Sequence, residues 1–268
     1  MSKVVLITGI SSGFGKQTAE YLAHKGYKVY GTSRRKIDHD PLISLLTMEV
    51  TDVVSVQKAV DEILQKEGHL DVLINNAGMG ISGAIEEVSE DEAKLQMDTN
   101  FYGALHTIQA VLPVMRKHGS GTIINTSSIG GLMGLPFQGF YSASKFAIEG
   151  LSEALRMELK EFNIDVVLVN PGDFQTNFTA NRKIIAKAGE NSPYQKQFSK
   201  SLAVIEKDEN GGLLPIVLAK KIHSIIEKKN PRPQYVVATF EQKLAVWLKY
   251  LLPQALFFKI LGDHYGIK

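Results

Sequence analysis

The segment Tyr141-Ser142-Ala143-Ser144-Lys145 sets a phenol and an ammonium four residues apart, so a helix would bring them onto one face. Ser128 precedes them, just past the apolar run Gly121 to Thr126. A phenol with a pKa near ~10 is a poor base at neutral pH, but a neighbouring ammonium favours the phenolate and draws that pKa toward the working range. Such a pair can carry a proton to or from a reacting oxygen, while a serine hydroxyl donates a hydrogen bond to the charge developing there. A Tyr-x-x-x-Lys pair alone also fits any exposed helix, so its meaning depends on its surroundings.

A second cluster opens the chain. Thr8-Gly9-Ile10-Ser11-Ser12-Gly13-Phe14-Gly15 lies between a β-branched run and a helical pattern, placing backbone amides and a helix N-terminus where a pyrophosphate can be received. In this reading Gly9 makes the sharp turn, Gly13 lets the backbone approach the phosphates, and Gly15 lets the helix pack on the strand. A P-loop is disfavoured, because no Gly-Lys-Ser/Thr follows. About 20 residues on, an NAD site offers a carboxylate to the ribose 2′-hydroxyl, whereas this chain has Ser33-Arg34-Arg35-Lys36. Guanidinium groups suit a 2′-phosphate, which favours NADP(H) over NAD(H); the same run also fits a solvated charge cluster after a strand.

These groups need a frame, and the hydrophobic pattern supplies one. Short apolar runs at Val4–Thr8, Lys28–Thr32, Leu45–Glu49, Val72–Asn75, Gly121–Thr126, Asp165–Asn170 and Tyr235–Val237 read as buried strands. Between them Lys16–Lys25, Val54–Glu67, Glu90–His118, Ser142–Phe162 and Pro215–Lys228 carry apolar residues at spacings of three and four. The alternation predicts a single-domain α/β Rossmann fold: a doubly wound parallel sheet of about seven strands with helices on both faces. The catalytic domain is expected over 1–240, with 173–212 as an irregular, mobile flap over the site and 241–268 as an amphipathic helical extension packed on it.

With these motifs in order, the chain resembles the short-chain dehydrogenase/reductase family over roughly positions 3–240, through Thr-Gly-x-x-x-Gly-x-Gly, Asn75-Asn76-Ala77-Gly78 and Tyr-x-x-x-Lys. The resemblance implies a catalytic tetrad of Asn100, Ser128, Tyr141 and Lys145, with Asn100 positioning Lys145 through a water, and a sheet-stabilising role for Asn75. It implies a dinucleotide held by Gly9, Ser11, Ser12, Gly13, Phe14, Gly15, Ser33, Arg34, Arg35, Glu49, Val50, Asn76, Ala77, Gly78, Tyr141, Lys145, Pro171, Gly172, Phe174 and Thr176. Pro171-Gly172 would flank the nicotinamide and Thr176 would meet its carboxamide. Glu49 departs from the family, which usually has Asp there. The same resemblance points to a homodimer or homotetramer formed through the helices that start at Glu90 and Ser142, and toward the steroid- and retinoid-like branch.

Ile129 to Phe140 is almost devoid of charge, with Leu132, Met133, Leu135, Pro136 and Phe137, so a hydrophobic alcohol or ketone is the expected substrate. Polar contacts would have to come from Asn177, Asn181 and Arg182 in the flap. In the tail, Leu244, Trp247, Leu248, Leu251 and Leu252 share one helical face before Pro253, and Leu256, Phe257, Ile260 and Leu261 begin another. That stripe calls for a cover: the core, a second subunit or the substrate entrance, or else a membrane surface with Lys243, Lys249 and Lys259 outward.

The balance of 30 basic against 28 acidic side chains offers no footprint for nucleic acid, and the lack of cysteine removes disulfides and thiolate chemistry. The seven histidines show no metal spacing, so no metal is expected. No charged leader precedes Val4, which makes a cytoplasmic location the expectation. The rival readings are a non-catalytic NADP-sensing protein on the same fold, disfavoured by the intact Ser128, Tyr141 and Lys145, and a nucleotide-sugar epimerase or dehydratase, disfavoured by the apolar pocket segment.

Overall fold

Val4–Ile7 (β1) is a strand whose alternate residues point to two different cores. Val4 and Leu6 join the side chains of one face, and Val5 and Ile7 those of the other. The same holds along β2 (Lys28–Ser33), β3 (Ile43–Thr47), β4 (Val72–Asn75), β6 (Gly121–Thr126) and β7 (Ile164–Pro171), which is why they read as largely apolar runs, while β9 (Gln234–Val237), at the sheet edge, gives Tyr235 and Val237 to one core alone. In the computed structural model, which describes residues 2–267, these seven form one parallel sheet of order β3-β2-β1-β4-β6-β7-β9. The short β5 (Ile81–Ser82) and β8 (Lys183–Ile184) pair separately.

One face is covered by α1 (Gly13–His24) and α8 (Pro215–Ile226) through Ala19, Leu22, Leu218 and Ile222. The other is covered by α2 (Val53–Glu67), α4 (Gly103–His118) and α5 (Gly139–Glu158) through Val60, Ile63, Ile108, Met115 and Leu155. The chain is thus a single-domain α/β Rossmann fold. Strand order reverses between β1 and β4, and ligands of such sheets bind in the crevice outside the carboxyl ends at that point.

Three elements differ from expectation. The third strand spans Ile43–Thr47 rather than Leu45–Glu49, because the chain leaves the sheet to start α2, with Ser55 Oγ accepting from Glu49 N and Asp52 capping Val54 N. The expected helix from Glu90 to His118 is three pieces: α3 (Glu90–Met97), a π-helical turn at Asp98–Tyr102, and α4. A π turn inserts one residue per turn and hides itself in a 3.6-residue pattern; here it carries Asn100. The segment 173–212 contains α6 (Phe178–Asn181) and the four-turn α7 (Gln195–Asn210), whose Phe198, Ser201 and Ile205 are buried. Its polar composition masked that spacing.

The C-terminal segment forms α9 (Phe240–Leu251) and α10 (Gln254–His264). Its apolar stripe is not covered by the core: α9 has no buried residue, Trp247 is 60% exposed, and Phe257 of α10 alone is fully enclosed at 3%. No helix among the described residues is long and apolar enough to cross a membrane.

Candidate active site

The turn after β1 follows from its glycines. Gly9 has φ 73°, in the left-handed region, and a β-carbon on Gly15 would stand 2.2 Å from Gly9 O and 2.5 Å from Asn76 Nδ2. Asn76 Nδ2 donates to Thr8 O and Gly9 O at 3.0 Å, and Thr8 Oγ1 accepts from Asn76 N and Ala77 N at 2.9 Å, locking the β1 and β4 turns together. At the start of α1, Ser12 makes no side-chain cap and no acidic residue follows in the first turn. An uncapped helix N-terminus beside a turn that only glycine can make fits the pyrophosphate of a dinucleotide. Ser11 is exposed, and Gly13 faces Thr176, whose Cβ lies 3.5 Å from the position a Gly13 β-carbon would take. Phe14 meets Phe174 edge-on at 4.9 Å.

At the end of β2, Ser33 is buried while Arg34 and Arg35 project into solvent. Glu49 approaches Arg34 Nε at 3.9 Å, so a carboxylate does stand near this corner, supplied by the turn after β3 rather than by β2. Val50 is buried against Gly103. Pro171 ends β7, and Gly172 N donates to Val237 O at 3.0 Å. Gly172 is pressed against Gln242 of α9, whose amide bridges Asp173.

The chemical groups converge between these turns. Phe14, Asn76, Gly78, Ser128, Tyr141, Lys145, Pro171, Gly172, Phe174 and Thr176 line one cavity. Lys145 Nζ donates to Thr126 O at 2.9 Å and lies 5.9 Å from the centre of the Tyr141 ring. Asn100 is 2% exposed; its amide accepts from Met79 N at 2.9 Å and donates to Met79 O and Ser144 Oγ. It makes no direct bond to Lys145. Both converge on Gly78 instead: a β-carbon there would sit 3.3 Å from Asn100 Oδ1 and 3.8 Å from Lys145 Nζ. Asn75 Nδ2 donates to Asn125 Oδ1 at 2.9 Å and Thr107 Oγ1 donates to Asn75 Oδ1, tying β4 to β6 and α4.

Electrostatics depart from the reading of Tyr141 and Lys145 as a bare pair. Burial raises the Tyr141 phenol to about 12, and the Ser128 hydroxyl is the main group pulling it back down. Burial lowers the Lys145 ammonium to about 8, opposed by Glu149. With its Nζ turned to Thr126 O, Lys145 is not among the groups that move the phenol in the chain by itself. Removal from water wins over the neighbouring charge.

Sequence reasoning missed the wall opposite the sheet. Asp173, Asp208, Glu209 and Tyr265 line the catalytic cavity. Burial, then Glu209 and Asp208, push the Asp173 carboxyl up to about 6. Arg182, expected with Asn177 and Asn181 to be the source of the polar contacts a sugar or acidic substrate would need, is enclosed and paired with Glu209, and neither Asn177 nor Asn181 is among the residues that line the cavity. The one sequence signal for this wall was Thr239-x-x-Gln242, the capping box that starts α9 and aims Gln242 at Asp173.

A Gly-turn crevice at the strand-order reversal, with Ser128, Tyr141 and Lys145 beside it, defines a nucleotide-binding oxidoreductase site. The short chain dehydrogenase model matches residues 3–184, and the chain belongs to that family. It is 48% identical over 266 residues to the 3-ketodihydrosphingosine reductase of Bacteroides thetaiotaomicron, covering 99% of both chains. Among solved structures, a short-chain dehydrogenase from Streptomyces avermitilis superposes with TM-score 0.83 at 30% identity, covering 93% of this chain and 92% of that one. A Burkholderia phymatum family member in complex with NAD superposes with TM-score 0.80 at 26% identity over 93% of each. The protein is an oxidoreductase that works between CH–OH and C=O with a nicotinamide dinucleotide.

Proposed function

We propose that the protein is an NADP(H)-dependent reductase of a hydrophobic ketone, with Tyr141 as proton donor. The observation that carries this is the meeting of Ser128, Tyr141 and Lys145 in the cavity that the Gly9–Gly15 turn enters. When bound, the dinucleotide supplies the hydride. A phenol raised to about 12 holds its proton throughout the neutral range, which is the form needed to protonate the oxygen of a ketone being reduced. Ser128 holds that oxygen, and the Lys145 ammonium, protonated below about 8, supports the tyrosinate left behind. Asn100 fixes the Gly78–Met79 turn beside Lys145, and a water bridging Asn100 to Lys145 would complete the proton path.

The exposed Arg34 and Arg35 favour the 2′-phosphate of NADP(H), with Glu49 as the opposing charge. The relative named for 3-ketodihydrosphingosine makes a long-chain keto lipid the first substrate to try. Homo-oligomerisation would use the faces that leave Leu95, Tyr102, Phe146 and Met157 exposed on α3, the π turn and α5. The test is NADPH and NADH oxidation against hydrophobic ketones, with Tyr141→Phe alongside. Tyrosine-dependent turnover favouring NADPH supports the reading; near-full turnover by the variant sinks it.

A further inference from the structure

A second cavity, of about 550 Å³, lies between α7, α9, α10 and the loop after Ser128. That size is typical of small-molecule sites, which run to roughly 300–1,000 Å³. Its walls are mainly hydrocarbon, supplied by Met133, Ala245, Leu248, Phe257, Ile260 and Leu261. Lys207, Asp208, Glu241, Gln242 and His264 also line it. The catalytic cavity adjoins it: Ile129, Leu135, Asp173, Asp208 and Tyr265 line both. Tyr265 is tied down at this partition, with its carbonyl accepting from Ser201 Oγ at 2.8 Å and its ring edge-on to His264 at 4.9 Å.

We propose that this second cavity receives the alkyl chain of the substrate whose carbonyl reacts at Tyr141, with Tyr265 at the bend between headgroup and chain; the assignment rests on the ketone reading above. The tail supports it. The apolar stripe of α9 has no buried residue, and Ala245 and Leu248 face this space instead of the core. The predominantly apolar wall suits an alkyl chain better than a polar group, which would have to give up its hydration there. Shared lining with the catalytic cavity makes the substrate the occupant, in preference to a second protein or a bilayer.

The experiment uses the full chain in two arms. Calorimetry measures binding of straight-chain alcohols from butanol to tetradecanol in the presence of NADP, and NADPH oxidation is followed with methyl ethyl, methyl hexyl and methyl decyl ketones. Affinity and kcat/KM are expected to rise by roughly fourfold or less per added methylene and then level off as the space fills. Leu248→Trp, and Ala245→Phe should the first variant fold poorly, fill the cavity and erase the gain for long chains, leaving butanol and NADPH binding unchanged. Chain-length independence in the wild type, or an unaltered gain in a folded filling variant, overturns the proposal. So would flotation of the wild type with lipid vesicles together with no chain-length effect on binding, which assigns the groove to a membrane surface. Length-dependent alcohol binding without ketone turnover leaves the chain site standing and fails the reductase reading.

Discussion

On one side of the cleft, the turns after β1 and β4 depend on close backbone approach: Gly9 and Gly15 leave no room for a side chain, and Asn76 Nδ2 and Thr8 Oγ1 bond to main-chain atoms across the gap. Across the cleft, Asp173, Asp208, Gln242 and Tyr265 are side chains brought from the flap, α7, the start of α9 and the residue after α10. A surface made of backbone has few acceptable sequences, because any added atom collides. One made of side chains can change its chemistry while the sheet stays as it is. Family members sharing a dinucleotide turn can therefore differ in substrate.

The contrast breaks most visibly at the residue that serves both sides. Tyr141→Phe is expected to lower kcat by about 10²–10⁴-fold while NADPH affinity changes little, checked by steady-state turnover and by fluorescence titration. A parallel loss of NADPH binding would mean that the phenol belongs to the cofactor side alone.

Gly15→Val tests the backbone side. Its added atoms run into Gly9 O, so NADPH binding should be lost and stability should fall by about 1–3 kcal/mol in chemical denaturation. Wild-type binding would show that the turn yields and that the contrast is overstated. At the rim of the same side, Arg34→Asp should weaken NADPH by about 10–100-fold with little change in NADH, measured as the ratio of dissociation constants. Equal losses would return the Arg34-Arg35 pair to a solvated charge cluster.

The smallest expected effect is a pH profile. Lys145 is charged below about 8 and loses its proton as the pH rises through that value, so kcat/KM for reduction should decline above it, approaching tenfold per further unit. Tyr141, raised to about 12, stays protonated across the same range and adds no second limb. A profile flat through 8 would remove the lysine charge from the reaction.

The central strands were readable because both of their faces are buried and most of their residues are apolar, as Val72, Leu73 and Ile74 illustrate. Tyr141 and Lys145 were readable because one helix turn joins them. Asn100 was placed only through resemblance, since the π turn that aims it at Met79 and Ser144 leaves no periodic trace. The helix at Gln195–Asn210 went unseen because its apolar side is narrow and its other faces are charged. The stripe on α9 suggested burial, yet it borders a cavity and solvent, because amphipathicity says that a face is apolar without saying what lies against it.

By itself the sequence determined the sheet, the Gly-rich turn and the Tyr141–Lys145 pair, all of which rest on local spacing and on a repeating pattern of burial. The tertiary structure alone decided that Lys145 turns to Thr126, that Arg182 is taken by Glu209, and that Asp173 and Tyr265 stand opposite Ser128. Those outcomes depend on which distant side chains compete for the same buried space and charge, and no spacing along the chain encodes that competition.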